Sequence, residues 1–223
     1  MQFTSEYDII LEPVRGMIVY LSLAMIIGAF LIGIYVLLAS RNPEKSLSSK
    51  YFIGITIFFI LFGIARLIYL IHDYFAPDTL DIILWKIATS IAFSGFIILV
   101  YTIETHVYKK TKRIFSIIGI CLLIIVIVAD LQIARIAVYI GNPLLLIVPF
   151  LIYILIYKNA TGVVRNRALI IIIGMLLLAL GQGTALLENV LHIMTKEQAS
   201  IFAPPVTLAG LTVTGLGFIF MSR

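Results

Sequence analysis

The stretch Leu169–Met194, LIIIIGMLLLALGQGTALLENVLHIM, decides the fold class of this chain. Its first half is continuous hydrocarbon. About 20 apolar residues suffice for a helix to cross a bilayer, so the stretch reads as a membrane-spanning helix. Its second half carries Gln182, Thr184, Glu188, Asn189 and His192, yet stays too apolar for a soluble loop. Gly181, Thr184, Glu188 and His192 follow one another at steps of three, four and four, which places them in one stripe on one helix face. A carboxylate is costly to leave in lipid. The stripe therefore predicts a protein-facing or water-facing side, with a partner for Glu188.

The rest of the chain extends this reading. Of 223 residues, 62% are hydrophobic and only 12% charged, and the mean hydropathy is +1.15. A soluble domain carries about 25% charged residues, so the composition is that of an integral membrane protein. The apolar runs predict an all-α fold, a single seven-transmembrane-helix bundle over residues 1–223. Its spans lie at about 14–39, 51–74, 81–108, 114–129, 133–157, 168–194 and 201–220. The N-terminal segment has Glu6, Asp8 and Glu12 and no early Lys or Arg, unlike the basic start of a signal peptide. The first apolar run is accordingly read as a mature span.

The net charge is +5, but the cations sit in short connections between apolar runs and track no polar groove, which argues against nucleic acid as a partner. The first, third and fifth connections hold Arg41, Lys45 and Lys50; Lys109, Lys110, Lys112 and Arg113; and Lys158, Arg165 and Arg167. The other three hold Arg135 and Lys196, with Lys86 just inside the third span. The positive-inside rule then predicts a multi-pass protein of the cell membrane, N-terminus outside and C-terminus cytoplasmic. The single cysteine, Cys121, lies in an apolar run and permits no internal disulfide.

Helix rise gives the depth of the polar residues. Arg66 lies 15 residues beyond Tyr51, roughly 22 Å along a helix, and Glu188 lies 20 beyond Ala168, roughly 30 Å. Both fall in the outer half of the membrane or at its edge. His72, Asp73 and His192 lie nearer the outside still, and Asp130 and Arg135 approach from a connection on that side. The sequence thus predicts an outward-facing polar pocket floored by an Arg66–Glu188 pair, with Gln182 and Thr184 on its wall. His72 and His192 would donate hydrogen bonds or respond to pH. The competing structural reading is an ion pair that only fixes helix register. Glu104 reads as interfacial, beside Lys109 and Lys110.

The last span carries Thr207, Gly210, Thr214 and Gly217 at steps of three and four. This small-residue face predicts close packing against a neighbouring helix or a dimer contact. Pro204 and Pro205 are placed in its first turn.

Several chemistries lack their residues. There is no HExxH motif, no serine–histidine setting, and no lysine in the last span for a retinal Schiff base. His72 and His192 sit too near the boundary for haem ligation, and no ligand pair stands four apart on one helix for a metal. The expectation is a protein that is not an enzyme and uses neither cofactor nor metal.

The layout resembles the seven-helix prokaryotic sensor modules that precede histidine kinase or cyclase domains. The resemblance is one of topology, and it implies that any output passes to another protein. The first functional expectation is a receptor-like or sensor/adaptor membrane protein. It would take a small-molecule or lipid ligand in the outer pocket and act through a membrane or cytoplasmic protein partner. Two alternatives accompany it: a small transporter or channel, with Gly181 and Gly183 letting the sixth span move, and a structural subunit of a larger membrane complex.

Overall fold

The computed structural model describes residues 12–39, 49–75, 77–189 and 195–220, and within them every side chain but those of residues 12, 13, 78, 185–189 and 196. The described chain is all-helical. Seven helices follow in order: α1 (Glu12–Ala39), α2 (Ser49–Phe75), α3 (Asp81–His106), α4 (Ile114–Val128), α5 (Leu131–Asn159), α6 (Gly162–Asn189) and α7 (Lys196–Phe220). Six are long and apolar enough to cross a membrane; α4 is the exception in length. Its 15 residues make a rod of about 22 Å, against a hydrocarbon core of ~30 Å.

Neighbours in sequence are neighbours in space. Each helix packs on the next, α7 returns to α1, and α3 also meets α5 directly. The result is a closed ring with α4 laid outside the α3–α5 groove. Only Ser116, Gly119 and Val126 of α4 are buried, while Ile117, Ile120, Ile124 and Ile127 face outward. Outward isoleucines are stable in hydrocarbon, where every backbone group is already satisfied within the helix.

A 15-residue apolar helix leaves unpaired amides at its start and unpaired carbonyls at its end. Here α3 closes both. Arg113 occupies the N-cap position and has no capping side chain to offer. The Glu104 carboxylate fills that role from α3, accepting from Phe115 N at 3.3 Å, from Ser116 N at 3.0 Å and from the Ser116 hydroxyl. At the other end Lys86 Nζ donates to the carbonyls of Ala129 at 2.6 Å and Ile127 at 3.3 Å. An anion at the start of α4 and a cation at its end both oppose the helix dipole. Lys86 and Glu104 are 18 residues apart, five turns of 3.6, so they share one face of α3 at a separation of about 27 Å. Glu104 is thus a buried cap with 1% exposure, where the sequence reading placed it at the interface. The link is between helices, and no local pattern announces it.

The tightest contact joins α6 and α7. Gly174 faces Thr214, Gly181 faces Thr207, Gly210 faces Leu178 and Gly217 faces Ile171. Both helices therefore present one seam at steps of three and four, run antiparallel, and interlock along four successive pairs. A Cβ at Gly210 would sit 2.5 Å from Leu178 N, and one at Gly174 would sit 2.5 Å from Thr214 N. The backbones approach this closely because neither glycine has a side chain. The Thr214 hydroxyl lies over Gly174 on the side where a Cβ would be, the arrangement of a weak Cα–H···O contact. The small-residue face of α7 is thereby occupied within the chain. Helix α7 also begins earlier than its apolar run, at Lys196, so Pro204 and Pro205 lie inside it rather than in the first turn.

Towards the end that carries the α3–α4 and α5–α6 connections, called the basic end below, aromatic side chains fill the ring. Tyr51, Phe52, Phe58, Phe59, Tyr153 and Phe218 are fully buried. Tyr51 and Phe218 meet edge to face at 6.2 Å, and the Tyr51 and Tyr153 hydroxyls bond to each other at 2.9 Å.

Candidate functional site

The polar residues at the opposite end separate into two groups. The first centres on Arg66, which the helical repeat places on the inward side of α2, next to buried Ala65 and Phe62. Arg66 donates from Nη2 to Gln182 Oε1 on α6. Gln182 Nε2 donates in turn to Thr207 Oγ1 on α7 at 3.2 Å. Three helices are thus joined by one chain of donors and acceptors. The guanidinium also lies over the rings of Phe62 at 5.2 Å and Tyr69 at 5.7 Å, in cation–π contact with both. Tyr69 OH pairs with Thr89 Oγ1 on α3 at 2.5 Å, which brings in a fourth helix.

Depth is consistent across the group. Arg66 lies nine residues before the end of α2, Gln182 seven before the end of α6 and Thr207 eleven after the start of α7. These offsets correspond to about 14, 10 and 16 Å along the helices. The cluster is inside the spanning region, where a charged group requires polar partners. Among the described residues Arg66 has no carboxylate within ion-pair distance.

The second group closes the same end at its rim. His72 Nδ1 faces Asp73 Oδ1 at 2.6 Å, and His72 Nε2 faces Asp81 Oδ1 at 2.8 Å. A donor at each ring nitrogen, the imidazolium form, satisfies both contacts. The pair ties the last turn of α2 to the first turn of α3. Nearby cations are likewise engaged. Arg15 donates to the Tyr74 carbonyl at 3.3 Å, and Arg135 lies over the Trp85 ring at 5.9 Å.

Of the residues singled out from sequence, the structure joins Arg66 with Gln182, and His72 with Asp73. Thr184 is not part of the network: its buried hydroxyl donates to its own helix, to Gly181 O at 2.9 Å. Gly210, Thr214 and Gly217 line the α6–α7 seam. The Glu188 side chain and His192 lie outside the described residues. Thr207, Tyr69, Thr89 and Asp81 were not marked as site residues. Thr207 and Tyr69 stand on faces visible in the sequence, but nothing local signals Thr89.

The described geometry defines a class: a helical, multi-pass membrane protein with a polar cluster at one end of the bundle. Compared with protein-family models, with curated proteins and with solved structures, the chain matches none.

Proposed function

We propose that this chain is a receptor-like or sensor/adaptor protein of the cell membrane. In this reading all seven helices span, α4 included, with the N-terminus outside and the C-terminus cytoplasmic. A small ligand or lipid with an anionic group binds on the outer side, at the Arg66–Gln182–Thr207 cluster, and the signal passes to a partner protein at the basic inner surface.

One observation carries the reading. A guanidinium stands well inside the spanning region, held by a neutral amide and two aromatic faces, with no described carboxylate within ion-pair distance. Arginine stays protonated in proteins, so its charge calls for an anion. A ligand carboxylate or phosphate supplies one. Within the chain, Asp73, seven residues on along the same face of α2, acts on the Arg66 charge from beyond ion-pair distance, and Glu188 is the second carboxylate that the sequence offers. Because the cluster links α2, α3, α6 and α7, occupancy there bears on the packing of four helices at once. Transport is less well supported: towards the basic end the described ring is filled by Tyr51, Phe58, Phe59, Tyr153 and Phe218, and the two tyrosine hydroxyls are spent on each other.

The test is native mass spectrometry on protein extracted gently from its own membrane, with wild type compared to Arg66→Leu and Arg66→Lys. The expected result is a small molecule bound one-to-one by wild type, lost from the Leu variant and weakened in the Lys variant, whose point charge cannot fork. Retention of the same molecule by Arg66→Leu would remove Arg66 from the site. Co-extracted protein subunits with no small molecule would replace the receptor reading with that of a structural subunit.

A further inference from the structure

The basic end holds a second feature that the Arg66 cluster does not involve. Glu104, Thr105, His106, Lys109, Lys112 and Arg113 line a depression of about 580 Å³. We propose that it is a binding site for a phosphate group carried by a ligand of headgroup size.

The argument begins with the backbone. After α3, Lys109–Thr111 form a single 3-10 turn. The next two residues both take positive φ, Lys112 at 48° and Arg113 at 65°. Neither is glycine, and left-handed backbone is uncommon and unfavourable for such residues. Two in succession reverse the chain sharply enough to start α4 beside the end of α3. The same reversal brings Lys109, Lys112 and Arg113 around one hollow.

Charge is unbalanced there. Three cations surround one carboxylate, and that carboxylate already accepts from two α4 amides and the Ser116 hydroxyl. Glu104 is therefore committed to capping α4 and is a poor partner for the lysines. Arg113 lies over the Tyr101 ring at 5.1 Å, which orients its guanidinium without neutralising it. A positioned guanidinium and two flexible ammonium groups are the donor set that phosphate oxygens take. The volume exceeds what a bare phosphate fills and falls in the range of small-molecule sites.

The phosphate would come either from a lipid headgroup of the adjoining leaflet or from a soluble phosphorylated molecule, and the two sources separate experimentally. The protein in mild detergent is titrated with dioleoylphosphatidylglycerol, with dioleoylphosphatidylcholine and with inorganic phosphate, and adducts are counted by native mass spectrometry. Wild type is compared with K109Q/K112Q, which leaves Arg113 on Tyr101 and Glu104 on α4 and so keeps the fold. A lipid site predicts at least tenfold tighter phosphatidylglycerol than phosphatidylcholine binding, with the preference lost in the variant. A soluble-ligand site predicts saturable phosphate binding, lost in the variant, with no preference between the lipids. Equal binding of both lipids together with no saturable phosphate binding would overturn the proposal. So would a preference that K109Q/K112Q leaves intact.

Discussion

The α6–α7 seam makes a prediction whose sign differs between two substitutions of the same kind on the same helix pair. A Cβ at Gly210 would lie 2.5 Å from Leu178 N and 3.0 Å from Gly174 O, whereas ordinary contacts begin at 3.4 Å. Both obstacles are backbone, so no rotamer change relieves them. Helix α7 must instead retreat by on the order of 0.9 Å, which opens the interlocked pairs on either side. A gap of that size forfeits roughly a quarter to a half of each affected dispersion contact. Together with overpacking of a formed interface, the expected cost of Gly210→Ala is about 2–3 kcal/mol. For a chain of this size that is roughly 5–10 °C in unfolding temperature. Gly183 is the control, because a Cβ there meets nothing within 4 Å. Gly183→Ala should be neutral or stabilising by up to about 1 kcal/mol, since alanine is the better helix former. The assay is the monodisperse peak in size-exclusion chromatography after heating in one detergent, as a temperature series. If Gly210→Ala and Gly183→Ala unfold together, the close backbone approach of α6 and α7 is refuted, and with it the internal use of the α7 small-residue face.

Two further outcomes rest on buried polar contacts. Tyr51→Phe and Tyr153→Phe should each cost about 1–2 kcal/mol by leaving one buried hydroxyl unpaired, while the double Phe variant should recover most of the loss; additive costs in a double-mutant cycle would show that the two hydroxyls are not each other's partners. Glu104→Ala should cost about 3 kcal/mol and Lys86→Met about 1 kcal/mol, as charge-assisted caps of α4 are lost. Hydrogen exchange locates the first effect: the amides of Phe115 and Ser116 should exchange faster in Glu104→Ala while those of Gly174 to Leu178 keep their protection, and uniform acceleration would assign Glu104 to general packing instead.

Much of the architecture follows from composition alone. Where hydrocarbon surrounds a chain, backbone groups must pair within each segment, so every long apolar run is committed to a helix before any tertiary contact forms. Run lengths and the loops between them then predict helices close to those observed. Termini were less legible. Helix α7 starts at Lys196 among polar residues, because a helix end beyond the apolar run can be satisfied by water and needs no apolar sequence. The Thr207–Gly217 face was legible for a related reason: small residues at steps of three and four mark close approach whatever the partner. Which surface they approach was not in the sequence, and the structure supplies Gly174, Leu178 and Gly181 of α6.

Polar partnerships required the tertiary structure throughout. The sequence shows that Arg66 lies too deep to be solvated freely, and helix periodicity puts it on a face with Tyr69. It does not say that Gln182 takes a hydrogen bond from it, because that depends on the rotation of α6 about its own axis, which the α7 seam sets. Glu104 and Lys86 make the same point. Each reads locally as a charge near a helix end. Only the placement of α4 against α3 turns them into the two caps of a helix that has none of its own. Segment, period and approximate depth are properties of one helix and can be read from one sequence; rotation, register and partner are properties of two, and they appear only when the helices meet.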